Sequence, residues 1–319
     1  MNSTVFPKSK IPPLLSIVVP VYNEVDNIIP LIEEIRRNVD SLGITYELIF
    51  IDDGSRDGTW DAVNREARSD LRLKGLSLSR NFGHQHAILA GYSIAEGKAI
   101  ISMDGDLQQP SSLIPAMLRE WQNGFKIVHT QRISHRKKSL FKRLTSKAFY
   151  RFFSLLTQVV IPEGSSDFRL LDRQVLENIA KFNDVEFFIR GIVSWIGFPA
   201  TILTYQESER FSDKSKYTFS RMVRLAVTGV VAFTSLPLKI GIWLGLFTSF
   251  LAFLEIIYIV VKYIQGVTVP GWASIVGVVS FLFGILFMIL GCIGLYIANI
   301  HENLKNRPRF VIQQKVNIT

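Results

Sequence analysis

Two stretches decide the fold: Tyr46–Ser55, YELIFIDDGS, and Lys98–Gln108, KAIISMDGDLQ. Each starts as a short apolar run rich in β-branched residues, Tyr46 to Ile51 and Lys98 to Met103, and each ends in a turn of carboxylates. Such runs read as buried strands, so both acidic clusters lie where strands end. In an open α/β sheet that edge is the ligand crevice. Asp104 and Asp106, separated only by Gly105, suit a hard divalent cation, Mg²⁺ or Mn²⁺, that also takes phosphate oxygens as ligands. An isolated Asp-Asp-Gly-Ser is ordinarily a solvated turn, because all its residues favour turns. The second acidic turn at a strand end reverses that reading and points to a nucleotide-diphosphate site.

Working outward, Leu15 to Val21 (LSIVVPV) reads as a strand, and Tyr22-Asn23-Glu24 opens a helix through about Val39. Asp57-Gly58-Thr59-Trp60 starts a second helix, Leu73 to Leu78 makes another strand, and His84 to Ala95 another helix. This alternation predicts an α/β fold, a mainly parallel sheet with helices on both faces and right-handed crossovers.

The composition puts this site at a membrane. The chain has 319 residues, 48% hydrophobic, with a net charge of +9 and a mean hydropathy of +0.24. Leu236 to Ile264 and Ala273 to Ile300 are each nearly continuous apolar runs, long enough to cross a hydrocarbon core of about 30 Å. The N-terminus lacks a charged region leading into an apolar helix and cleavage site, so no signal peptide is expected. Lys214, Lys216, Arg221, Arg224 and Lys239 precede or open the first span, and Lys305, Arg307 and Arg309 follow the second. That bias predicts an integral protein of the cytoplasmic membrane, with the catalytic part in the cytoplasm and both termini inside. The expected division is an N-terminal extension (1–13), a catalytic domain (14–235), two transmembrane helices (236–264 and 273–300) and a cytoplasmic tail (301–319). The single cysteine, Cys292, excludes an intrachain disulfide framework and a Cys-based zinc cluster. The basic residues near the membrane account for the pI near 9.6 without a nucleic-acid partner.

The series VPVYNE (Val19 to Glu24), DDGS (Asp52 to Ser55), SRNFGHQ (Ser79 to Gln85), DGDLQQP (Asp104 to Pro110), SDFRLLDR (Ser166 to Arg173) and FIRGIVSWIGF (Phe188 to Phe198) resembles the family 2 glycosyltransferases of GT-A fold. Within them the chain is similar to the polyprenyl-phosphate glycosyltransferases, both dolichyl-phosphate mannose synthases and the bacterial enzymes that glucosylate undecaprenyl phosphate. It departs from their pattern in Asp104-Gly105-Asp106 for Asp-Ala-Asp, in Ser166 before Asp-Phe-Arg, and in Asp213 at a glycine position of the loop Arg210 to Tyr217. The resemblance implies donor contacts at Pro20, Tyr22, Glu24, Asp52, Asp53, Arg80 and Asp104, with Asp53 receiving base or ribose and Asp52 supporting it. It implies acceptor-phosphate contacts at Gln108, Arg132, Lys142, Arg143, Ser146 and Arg169, and a closing loop with Arg210, Ser215 and Lys216. Asp167 is the candidate for orienting the acceptor or serving as base, with orienting adopted here; Arg169 could equally lock Asp167 through a charge-assisted pair. His84 and His86 show no ligand spacing, and a structural role is expected of both. A homo-oligomer, with a tetramer as one form, is also expected.

Leu140 to Val159 places Phe141, Leu144, Ala148, Phe152 and Leu155 at helical intervals opposite Lys142, Arg143, Lys147 and Arg151. That is a basic amphipathic helix suited to the membrane interface, and Thr218 to Thr234 is a second. Core helices with solvated basic faces are the alternative. The function expected is inverting transfer of a single hexose, glucose from UDP-glucose, to undecaprenyl phosphate. The alternatives are another donor (GDP-mannose or a UDP-4-amino-arabinose type), a processive polysaccharide synthase, or a silent membrane-anchored sensor of nucleotide sugars. No Gln-x-x-Arg-Trp occurs to support the synthase.

Overall fold

The structure, a computed structural model, describes residues 12–133, 165–182, 189–206, 236–266, 271–305 and 307–318. Strands β1 (Leu15–Val21), β2 (Tyr46–Asp52), β3 (Leu73–Leu78) and β4 (Ala99–Ser102) are buried at every residue. This is what parallel strands covered on both faces require, and it explains their unbroken apolar runs. Helices α1 (Val25–Val39), α2 (Thr59–Ser69), α3 (His84–Ile94) and α4 (Ile114–Gln122) connect them or follow. On α1, Ile28, Leu31, Ile32, Ile35 and Val39 form the apolar stripe. They pack with buried side chains of α2 and α4 and with Leu15, Ile17, Val19 and Val21 of β1. Val18 points the other way, to Gly91 of α3, as the period of two along a strand dictates. The sheet therefore carries α1, α2 and α4 on one face and α3 on the other.

Three more strands on the N-terminal side of the chain's apolar helices, β5 (Ile127–Ile133), β6 (Ser165–Asp172) and β7 (Ala200–Gln206), and one beyond them, β8 (Ile312–Val316), complete an eight-stranded sheet of order β7-β5-β6-β4-β1-β2-β3-β8. The four central strands are mutually parallel, whereas β6 runs antiparallel to β4 and β5, and β8 antiparallel to β3. Both exceptions have one geometric meaning. An antiparallel strand starts where its neighbour ends, so β6 and β8 each enter the sheet at the crevice edge. Asp167 is thereby delivered next to the end of β4, and the chain's C-terminal segment next to the end of β3.

Two compact units result, one holding the sheet together with residues 307–318 and the other the two C-terminal helices. Residues 307–318 of the expected tail (301–319) thus contribute a strand to this sheet. Both expected spans are continuous helices, Leu236–Ile264 and Trp272–Leu304. Within the second, the 22 residues Gly277–Ala298, of mean hydropathy 2.7, are long and apolar enough to cross a membrane.

Candidate functional site

Beyond β4 the chain turns sharply through Asp104 to Gln108. Leu107 has φ of 60°, a left-handed conformation costly for a residue with a Cβ and typical of sites that hold backbone in a fixed pose. In that pose the Gln108 N–H donates to Asp106 Oδ1 at 3.2 Å. A Cβ on Gly105 would lie 2.7 Å from Val21 Cγ1, so the glycine that replaces the usual alanine suits a turn pressed against β1. Buried Gln109 fixes Asp104: its Oε1 accepts from the Asp104 N–H at 2.8 Å, and its Nε2 donates to Asp104 Oδ2 and, at 3.1 Å, to Ser166 Oγ. Asp104 Oδ1 is buried and accepts no hydrogen bond; the nearest cationic group is His84 Nε2 at 3.3 Å. Burial pushes the Asp104 carboxyl up to about 6, with His84 opposing and the charges of Asp167 and Asp106 adding to the rise. An unsatisfied carboxylate oxygen whose negative charge is disfavoured is what a bound cation would relieve, and with Asp106 beside it the donor set fits Mg²⁺ or Mn²⁺. Among the described residues no group of three or more His, Cys, Asp or Glu side chains forms a metal cage.

Asp167 is the hub of the site. Arg190 grips it with two bonds, Nε to Oδ1 at 3.0 Å and Nη2 to Oδ2 at 2.7 Å. Arg169 Nη2 donates to the same Oδ1, Gln85 Nε2 to Oδ2 at 3.3 Å, and His84 Nε2 lies 3.6 Å from Oδ2. Burial alone would raise the Asp167 carboxyl, but the His84 hydrogen bond and the Arg169 and Arg190 charges hold it well below the ordinary carboxylate range. A carboxylate so stabilised as the anion is a poor proton acceptor at neutral pH. Burial pulls His84 down, yet Asp167 and Asp104 outweigh it and leave its pKa raised.

The Asp-Asp-Gly-Ser turn separates its two acids. Asp53 is buried, with both oxygens taken by backbone donors, Phe82 N–H at 2.7 Å and Gly83 N–H at 2.9 Å; it fixes the loop before α3. Asp52 accepts from Ser55 N–H and Ser77 Oγ and lines a cavity of about 450 Å³ with Tyr22, Trp60, Arg80, Gln313 and Gln314. Gly54 is required here: its φ is 72°, and a Cβ would fall 2.5 Å from the Arg80 carbonyl carbon. Arg80 stacks over the Phe82 ring at 4.7 Å. Glu24 precedes the first turn of α1 without a side-chain cap bond, and its carboxyl is raised by burial against the Asn27 hydrogen bond, with Asp106 and Asp57 adding. Pro20 sits in β1 beside Ile51 of β2.

Arg169 is only 1% exposed, and its Nη2 donates to Asp167 and to the Ser166 carbonyl at 3.2 Å, the contact expected of the lock. Arg132 is exposed near the end of β5, in register with Tyr205 of β7. Lys142, Arg143, Ser146, Arg210, Ser215 and Lys216, with both amphipathic stretches, lie outside the described residues. Sequence reasoning passed over His84, Gln109 and Arg190 as site residues and missed the C-terminal glutamines. The signal for His84 was its place at the first turn of the helix after β3, an element that ends at the crevice.

The mainly parallel sheet thus carries acidic turns at two strand ends, a cavity beside one and a charge hub beside the other. The model of glycosyl transferase family 2 matches residues 16–180, and the chain belongs to that family. It is 37% identical to "Uncharacterized glycosyltransferase YkcC" of Bacillus subtilis, over 95% of this chain and 94% of that one. It is 36% identical to "Uncharacterized glycosyltransferase sll0501" of Synechocystis, over 93% and 94%. To the "SfII prophage-derived bactoprenol glucosyl transferase" of Shigella flexneri it is 34% identical, over 94% and 97%.

Proposed function

We propose that the protein transfers one glucose from UDP-glucose to undecaprenyl phosphate at the cytoplasmic face of the membrane, with inversion, giving a β-linked lipid-phosphate sugar. The observation that carries the reading is likeness over nearly the full length, C-terminal helices included, to a bactoprenol glucosyl transferase. The site's chemistry supports it. A phosphate monoester has a second pKa of about 6, so the acceptor oxygen is already largely anionic and needs no strong base. That agrees with an Asp167 committed to Arg169 and Arg190: it orients, and removes no proton. Asp104 and Asp106 would hold Mg²⁺ or Mn²⁺, which supplies Lewis-acid stabilisation of the leaving diphosphate. His84 is set by Asp167 beside Asp104, and those two carboxylates raise its pKa. Two membrane crossings, the interface helices, and a closing loop with Arg210, Ser215 and Lys216 belong to the same reading.

Purified protein in vesicles containing undecaprenyl phosphate, given Mg²⁺ or Mn²⁺ and UDP-glucose, UDP-galactose, GDP-mannose or a UDP-4-amino-arabinose, should form lipid product from UDP-glucose, with a β anomeric signal by NMR. Donor binding without acceptor-dependent turnover on any of them would instead identify a sensor.

Two quantitative expectations follow from the geometry. Because Asp104 titrates at about 6 without a cation, Mn²⁺ affinity measured calorimetrically should be level above that pH and fall by about tenfold per unit below it, as the proton competes for the carboxylate. Asp104→Asn should flatten the profile, and a wild-type profile flat from pH 5 to 7.5 would remove Asp104 from the cation site. Arg132 is proposed to grip the acceptor phosphate with Gln108, Lys142, Arg143 and Ser146. Losing one charge-assisted contact costs about 1.5 to 3 kcal/mol, so Arg132→Ala should lower kcat/KM for the lipid by roughly tenfold to a hundredfold. UDP-glucose affinity should stay unchanged, and a fall there instead would move Arg132 to the donor side.

A further inference from the structure

The C-terminal segment returns to the catalytic sheet and is fastened there at several points. Ser79 N–H donates to the Val311 carbonyl at 2.9 Å, and β8 pairs with β3 from Gly75 to Leu78. Val316 packs against the core. Asn317 Nδ2 donates to the Ala67, Asp70 and Leu73 carbonyls, and Arg309 Nη2 to the Phe182 carbonyl. The ladder is irregular at one place: Ile312 pairs with Leu78 and Gln314 with Ser77, so Gln313 is an extra residue bulged out between them. A bulge re-aims side chains and is common beside functional sites. Here it lies at the crevice end of β3, and both Gln313 and Gln314 line the cavity with Asp52, Trp60 and Arg80. Gln314 Oε1 accepts from the Trp60 indole N–H, which leaves its Nε2 as a donor.

The strand order gives the cavity its meaning. From β4, with Asp104 and Asp106, the edge runs through β1 and β2 to β3 and β8. A nucleotide with its diphosphate at β4 and its base in the cavity would extend along this edge toward β2, β3 and β8. We propose that the C-terminal strand is part of the donor site, with Gln313 and Gln314 forming the wall that reads the hydrogen-bonding edge of a pyrimidine base. The carboxamide of Gln313 offers a donor and an acceptor side by side, matching the adjacent carbonyl and N–H of uracil, and Gln314 Nε2 supplies a further donor to a ring carbonyl. The inference rests on the uridine-nucleotide reading above and deepens it. It also means that a segment encoded after both apolar helices completes a site formed by the first part of the chain.

The test uses the full-length protein with UDP, CDP, GDP and ADP as probes in the presence of Mn²⁺, measured by calorimetry, together with steady-state kinetics. Gln313→Ala and Gln314→Ala should each weaken UDP binding about fivefold to thirtyfold, loss of one to two neutral hydrogen bonds. They should raise KM for the nucleotide sugar with kcat within about twofold, leave lipid KM unchanged, and narrow the preference for UDP over GDP. Lys315→Ala, on the exposed strand away from the cavity lining, should behave as wild type. UDP affinities within twofold of wild type for both glutamine variants would overturn the inference while leaving the donor assignment intact. A wild-type protein that prefers GDP, with both variants still weakening nucleotide binding, would overturn the uridine reading but uphold the strand as part of the site.

Discussion

Asp106→Asn is expected to lower transfer by at least ~10³-fold while the protein folds, inserts into membrane and binds lipid as before. Asp106 is partly exposed at the turn and accepts a local hydrogen bond from the Gln108 N–H, so Asn at this position disturbs no buried packing. Asp104→Asn should be similarly inactive, yet it differs in a second readout. The Asp104 carboxyl is raised by burial, so its folded-state pKa lies above its unfolded value and charging it opposes folding as pH climbs through that interval. Without a cation, the neutral amide removes that opposition, and Gln109 can still hydrogen-bond an amide oxygen in place of Oδ2. The apparent melting temperature of metal-free Asp104→Asn at neutral pH should therefore be no lower than wild type. Saturating Mn²⁺ should stabilise the wild type and neither variant. Full activity in EDTA, or near-normal turnover by folded Asp106→Asn, would remove the cation from the mechanism.

The first half of the sheet was legible because its physics is local. Leu15–Val21, Tyr46–Asp52, Leu73–Leu78 and Ala99–Ser102 are buried on both faces and so appear in the sequence as unbroken apolar runs, each ending at the acidic or polar turn that marks the crevice. What stayed hidden depends on pairing between distant segments. Arg169 is a charged residue that is the largest fully buried side chain among the described residues, and the antiparallel alignment of β6 with β4 and β5, which leaves it paired with Asp167, makes that tolerable. The strand Ile312–Val316, IQQKV, is mostly exposed; an edge strand held by backbone bonds leaves almost no hydrophobic alternation to read. The two acids of the Asp-Asp-Gly-Ser turn are adjacent in sequence but diverge in space: successive strand-end residues point to opposite sides, and Asp52 lines the cavity while Asp53 ties down the Phe82 loop.

The largest stability effect should come from Asp167. Its side chain and that of Arg169 are 8% and 1% exposed, so Asp167→Ala leaves a buried guanidinium without its counter-ion, a change that typically costs ~3–5 kcal/mol. The pH dependence distinguishes this from loss of packing. Because the Asp167 pKa is depressed in the folded state, its contribution is fully present above the unfolded carboxyl value of about 3.9 and disappears as pH falls through the lower folded value. The part of the stability gap carried by the ionisation of Asp167 itself should thus be constant from pH 7 to about 5 and close only in stronger acid, while His84, whose pKa Asp167 raises, widens the gap as pH falls below its folded value. Replacing both members, Asp167→Ala with Arg169→Met, removes the orphaned charge and should restore most of the lost stability. It should not restore transfer, since Arg190 and His84 would still lack the carboxylate that holds them beside Asp104. Recovery of both stability and activity in the double variant would mean that Asp167 only neutralises Arg169; a stable but inactive protein is the outcome expected of a carboxylate that positions the groups around the reacting phosphates.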